Sequence, residues 1–177
     1  MNLSEDEKKQ LKEIAKDSIE NALFGKKKKQ LEMPAVFKEK RGAFVTLKKR
    51  GELKGCIGYI RGVQPLHETI EEMAVQAAFH DPRFAPLEKN EWKDIEIEIS
   101  VLTPMRIIES IDEIKVGTHG LYIEKGHNSG LLLPQVATEN NWDREMFLEY
   151  TCWKAGLPGD AWKSPDTRVY IFSADVF

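Results

Sequence analysis

Cysteine is scarce in this chain of 177 residues: only Cys56 and Cys152 are present. They lie far apart and belong to no CxxC pair, so they supply neither a disulfide framework nor a thiolate metal knuckle. In a reducing compartment both are free thiols. The histidines, His67, His80, His119 and His127, also lack close ligand spacing, so the expected metal content is none. Net charge is missing too. The chain has 26 basic and 29 acidic side chains, leaving −3, and that balance argues against a dedicated nucleic-acid binder. No apolar run reaches bilayer-spanning length, and the opening MNLSEDEKK lacks the apolar core of a secretory signal, so the expected compartment is the cytoplasm. The GxxxxGK[ST] and GxGxxG phosphate loops and the GxSxG elbow are absent, which argues against the commonest nucleotide and serine-hydrolase sites. No cofactor is implied.

What is present has the length to bury a core without staples, as one domain or as two subdomains. SEDEKKQLKEIAKDSIENALFG places Ser4 and Glu7 in capping-box register and Leu11, Ile14, Ala15, Ile19, Ala22 and Leu23 along one helical face, with Gly25 as the stop. Lys26 to Lys29 follow a helix C-terminus, where basic charge suits the dipole, and read as a solvated loop rather than a phosphate patch. GAFVTLKKRGELKGCIGYI reads as a hairpin turning at Lys49, Arg50 and Gly51. Pro65 opens a helix with Leu66, Ile70, Met73, Ala74 and Ala77 on its apolar side, and Asp81 and Pro82 close it. DIEIEISVL alternates strictly, with Glu96, Glu98 and Ser100 on the polar face. A second hairpin over GLYIEKGHNSGLLLP, a helix over DREMFLEYTCWKAGL and a closing strand TRVYIFSADVF complete the order. Two hairpins without regular strand–helix–strand alternation predict an α+β fold, a mostly antiparallel sheet flanked by helices. A subdomain seam is expected near 103–120, where proline and glycine interrupt the pattern.

Candidate chemistry centres on LKGCIGYI, where Gly55 and Gly58 flank Cys56 inside a strand pattern. Glycine weakens a strand interior, so the pair marks a bulge or a close approach by another group. The flanking glycines also unshield the thiol, and Lys54 and Arg61 would favour thiolate if their side chains reach the same face. Against this, a strand cysteine commonly serves as a small buried hydrophobe, the reading given to Cys152. FHDPRF offers His80 as a base for Cys56 and Arg83 as an anion clamp, or, alternatively, a helix cap with local pairing. Glu98 becomes a buried carboxylate needing a partner if its face is covered, and Gln135 stands near the start of a short helix after Pro134. GCIG also fits the glycine pattern of KH loops, but those join helices and this one lies in a strand pattern. RNA binding through the lysines would show as affinity falling steeply with salt.

These motifs resemble a known family. LKGCIG is similar to the LRGCIG hexapeptide of the AMMECR family, also called AmmeMemoRadiSam system protein A, and DPRF, EISVLTP and LLLPQVA follow in the same order. FLEYTCWKAGL before Trp162 also resembles the family's closing helix, so the likeness spans about residues 40 to 175. The resemblance implies two α+β subdomains with the hexapeptide close to a cleft between them, and it brings no established activity. It carries over Gly55, Cys56, Ile57, Gly58, Asp81, Arg83, Glu98 and Gln135, whereas His80 falls outside the matched stretch. Lys54 stands where the family has arginine, keeping the charge and losing the bidentate fork. By association the family implies a Memo-type or radical S-adenosylmethionine partner. The leading expectation is a small-molecule or thiol-dependent catalytic site with Cys56 as nucleophile or ligand contact and Glu98 as base. Gly55, Gly58, Asp81, Arg83 and Gln135 are its binding residues. The alternative is a non-catalytic interaction module that docks such a partner. Geometrically, Cys56 and Glu98 should share one side of the sheet and border one concave pocket, with Arg83 or Gln135 nearby.

Overall fold

The computed structural model describes residues 3–27 and 32–177, so Lys28 and Lys29 of the basic run lie outside the described residues. The chain divides into two compact units, one comprising residues up to Leu102 with Asp175–Phe177, the other Thr103–Ala174.

In the first unit, helix α1 (Glu5–Phe24) begins at the expected capping box. The Ser4 hydroxyl accepts from the Glu7 N–H at 3.3 Å, and the Glu7 carboxylate accepts from the Ser4 N–H at 2.7 Å. It ends at Gly25, whose φ of 68° is the left-handed conformation a C-cap requires. Strands β1 (Ala43–Lys49) and β2 (Glu52–Tyr59) form the expected hairpin. Lys49 stays in the strand, and Arg50 and Gly51, at φ 52° and 83°, make the two-residue turn that matches strand twist. Helix α2 (Leu66–Phe79) takes Pro65 as its N-cap and packs on β1, β2 and α1. With β3 (Ile95–Leu102) and the C-terminal β8 (Ala174–Val176) the sheet runs β2–β1–β3–β8. One sheet face sends Ala43, Val45, Leu47, Ile99 and Val101 into a core shared with Leu11, Ile14 and Ile19 of α1 and Leu66, Ile70 and Met73 of α2. The alternation of β3 is correct in phase, but Ser100 on its polar face is 2% exposed, beside Phe44 in the register of β1.

The second unit contains β4 (Arg106–Ile107), the hairpin β5 (Gly120–Lys125) and β6 (Asn128–Leu132), short helix α3 (Pro134–Glu139), α4 (Arg144–Lys154) and β7 (Arg168–Phe172). The sheet order is β4–β7–β5–β6, and Ile114, Leu121, Ile123, Phe147, Leu148 and Ile171 build its core.

The fold is α+β, as expected, but with two antiparallel four-stranded sheets in place of one. The closing strand is accordingly two strands. β7 belongs to the second sheet, whereas β8 (Ala174–Val176) lies beside β3, where Phe177 and Ile99 exchange backbone hydrogen bonds of 3.1 and 2.9 Å. The break falls at Ser173, whose N–H donates to the Thr103 hydroxyl at 2.8 Å while its carbonyl accepts from the Thr103 N–H at 2.9 Å. Among the described residues, no helix is long and apolar enough to cross a membrane.

Candidate functional site

The glycines around Cys56 meet the protein's own atoms. β1 and β2 pair Leu47 with Gly55 but Lys48 with Leu53, so Lys54 is the extra residue of a β-bulge. A Cβ at Gly55 would stand 2.0 Å from the Ala77 carbonyl oxygen, which places the backbone of β2 directly against α2. A Cβ at Gly58 would stand 2.3 Å from the Ala43 carbonyl and 2.4 Å from the Phe44 ring. Close backbone approach explains both positions without a ligand.

Cys56 is held at both of its peptide groups. Its N–H donates to the Asp81 carboxylate at 2.9 Å, and its carbonyl accepts from an Arg83 Nη at 3.1 Å. Arg83 also donates to Asp81 through Nε at 2.9 Å, through the same Nη at 2.7 Å and through its own N–H at 3.1 Å. The Asp81 side chain is only 1% exposed, against 55% for Arg83. The guanidinium hydrogen bonds, aided by the Cys56 and Arg83 backbone N–H groups, overcome burial and hold the Asp81 carboxyl far below its ordinary range. DPRF is thus a clasp that fixes the end of α2 to β2. Much of the Arg83 fork is committed to Asp81 and Cys56.

On the sheet face opposite the core, register aligns side chains in rows. Thr46 pairs with Cys56 on one side and with Glu98 on the other, so thiol, hydroxyl and carboxylate lie in one row on the same face. The Thr46 hydroxyl donates to the Cys56 sulfur at 3.2 Å, and Cys56 is half-buried. Glu98 pairs with Lys48 at 2.8 Å, each about a third exposed. Two strand spacings of roughly 4.8 Å separate the backbones of Cys56 and Glu98, with Thr46 between them. A pocket of about 390 Å³ borders Glu98, lined by Lys12, Lys48, Glu96, Ile97 and Phe177, and its walls do not include Cys56 or Arg83.

The other candidates lie elsewhere. His80 is the exposed C-cap of α2, its ring edge-on to Phe79 at 6.5 Å. Lys54 turns to Glu91 at 3.2 Å rather than to the thiol, and Lys49 joins the same carboxylate at 2.7 Å. Together with the Glu88 N–H they draw the Glu91 carboxyl down to about 2. Gln135 lies in the first turn of α3 in the second unit, its carbonyl accepting from the Thr138 hydroxyl. Cys152 is fully buried, and desolvation pushes its thiol up, the behaviour of a packed core residue. Among the described residues, no group of three His, Cys, Asp or Glu comes together as a metal site. The sequence reading missed Thr46 and Lys48. Their signal was the alternation Phe44, Thr46, Lys48 in β1, legible once β1 is placed between β2 and β3.

The chain is similar to archaeal proteins along nearly its whole length. A protein of Methanothermobacter thermautotrophicus is 49% identical over 183 residues, covering 99% of this chain and 95% of the relative. One of Nanoarchaeum equitans is 44% identical, covering 94% and 97%. The crystal structure of an uncharacterized protein from Pyrococcus horikoshii superposes with a TM-score of 0.84 at 42% identity, covering 94% of this chain and 87% of that one. The AMMECR1 family profile matches residues 12–177, which include the clasp, the Cys56 row and both sheets. On the extent of that match and of those identities, the chain belongs to the AMMECR1 family.

Proposed function

We propose that the first unit binds a small polar molecule on the sheet face that carries Cys56, Thr46, Glu98 and Lys48. The observation supporting this reading is the register row, which sets a thiol, a hydroxyl and a carboxylate–ammonium pair side by side on a half-buried surface. Such a row offers donors and acceptors at fixed spacing on rigid strands, the kind of scaffold that orients a ligand with little ordering cost. The Asp81–Arg83 clasp adds to this by immobilising the Cys56 backbone.

Binding fits the geometry better than thiol catalysis does. The hydrogen-bond partner of the thiol is a hydroxyl rather than a base. Glu98 is two strands away and already engaged by Lys48, whereas proton transfer needs hydrogen-bond reach of about 3 Å. Cys56 therefore serves as a ligand contact and Glu98 as a polar anchor.

The test is retention of metabolites by the purified chain, read by native mass spectrometry after incubation with a metabolite extract. Wild type is expected to retain a small molecule that protects Cys56 from alkylation. Cys56→Ser and Thr46→Val should lose retention by at least about tenfold while costing less than about 1 kcal/mol in stability. Equal retention by wild type and both variants would sink the proposal.

A further inference from the structure

The second sheet ends in β6, and the outer edge of that strand is open. Gly126 and His127 form the two-residue turn between β5 and β6, so Lys125 and Asn128 are the pair that closes the hairpin. Antiparallel ladders alternate, and the hydrogen-bonded pairs counted from that turn are Lys125–Asn128, Ile123–Gly130 and Leu121–Leu132. The other side of β5 gives the same phase. The Ile108 N–H donates to the Val169 carbonyl at 3.0 Å, which turns Val169 toward β4 and leaves Ile123, its opposite residue, to bond β6. Ser129 and Leu131 therefore aim their N–H and C=O groups away from β5, along the outer edge. Among the described residues none of these four groups has a hydrogen-bond partner. Ser129 is exposed and Leu131 half-buried.

The other sheet edges are capped or short. On β2 the Asp81 carboxylate takes the outward Cys56 N–H, and Arg83 covers the Cys56 carbonyl. β4 has two residues, one of them Arg106, and β8 has three, with Asp175 tied to Lys8 at 3.3 Å and to the Leu3 N–H at 3.1 Å. Charged side chains, caps and short strands are the means by which proteins keep edges from pairing. β6 has none of them: Asn128–Leu132 is five residues long and contains neither a charged residue nor proline. Its glycine serves the helix rather than the edge, since a Cβ at Gly130 would stand 2.5 Å from the Ala155 nitrogen at the end of α4.

We propose that β6 pairs with β6 of a second copy of this chain, antiparallel about a two-fold axis that passes between the two Gly130 residues. The open groups are self-complementary in that register. Ser129 faces Leu131 of the partner subunit, Leu131 faces Ser129 of the partner subunit, and each pair exchanges both hydrogen bonds, so the two sheets become one. A second copy fits better than a foreign segment because β6 has no charge with which to select one, and self-pairing sets no like charges directly opposite each other. Glu124 and Lys125 stay one strand behind, Lys125 paired with Asp166 at 3.1 Å. Exposed Lys154 ends α4 above Gly130 and brings like charges toward the axis, a repulsion that salt screens. Such a small interface is weak, with Kd of about 10–100 μM.

Sedimentation equilibrium of the full chain over about 1–500 μM is expected to show the mass rising from 20.3 kDa toward twice that value, and to show no loss of dimer at high salt. Ser129→Pro removes one outward N–H and no bond to β5, and edge strands accept proline, so it should weaken association by at least about tenfold with little change in melting. Amide hydrogen exchange reads the same edge without a substitution. The Ser129 and Leu131 amides should gain protection only in concentrated samples, whereas Gly130, already bonded to Ile123, should be protected at every concentration. A monomer throughout the range, dissociation by salt, a dimer unaffected by Ser129→Pro, or Ser129 and Leu131 amides that exchange alike in dilute and concentrated samples would each overturn the proposal.

Discussion

Gly55→Ala is expected to destabilise the first unit by more than about 3 kcal/mol, the upper range for forcing atoms into a packed interior. The added methyl would lie 2.0 Å from the Ala77 carbonyl oxygen, well inside any real contact. That oxygen belongs to the backbone of α2, so no rotamer change relieves the clash. The helix must move off the sheet, carrying Met73, Ala74 and Ala77 out of their contacts with the core. In a chain of this size such a loss lowers the melting temperature by roughly 10 °C, and it is a large fraction of a stability of about 5–15 kcal/mol. Gly51→Ala is the control. It sits at φ 83° with nothing within 4 Å, so it loses only the left-handed preference, about 1–2 kcal/mol. Thermal melting of the two variants separates the effects. If Gly55→Ala melted like wild type and only ligand retention changed, the glycine would be serving a ligand rather than the helix.

The position of this glycine shows how far the sequence could be read. Periodicity and caps located α1, both hairpins and β3, because those signals are local: Ser4 and Glu7 three positions apart, Gly25 after the last turn, strict alternation through Ile95–Val101. The same local signals could not divide the final strand, since TRVYIF and ADVF are both apolar-rich and only their sheet partners distinguish them. Gly55 and Gly58 were legible as close-approach positions, but not what approached, because Ala77 lies in another element and Phe44 on another strand. The hexapeptide also suggested positive charge at the thiol from Lys54, and the β-bulge overturned this by sending that side chain to Glu91. Thr46 stayed hidden for a related reason. Its place between Cys56 and Glu98 follows from β1 being the central partner of both β2 and β3, a non-local fact.

Asp81→Ala should cost about 1–3 kcal/mol, the range for leaving a buried donor without its acceptor, because the Arg83 guanidinium that it frees is 55% exposed and can be solvated. The carboxylate collects four donors: the Cys56 N–H and the Arg83 N–H, Nε and Nη. Its loss leaves the Cys56 amide unpaired in a half-buried strand and frees the guanidinium that also grips the Cys56 carbonyl. Asp81→Asn keeps an acceptor and the shape but not the charge, and so isolates the electrostatic part. Because the folded carboxyl is held below its ordinary value of 3.8, its contribution is fully present above that pH and is lost as pH falls toward the folded value. Wild type should therefore exceed Asp81→Asn by a constant margin from pH 8 to about 5, and the margin should shrink steadily below about 4. Urea unfolding across that range measures it. A margin that stayed constant down to pH 2 would mean that the clasp does not depend on a charged Asp81, and the account of how Cys56 is fixed would fail with it.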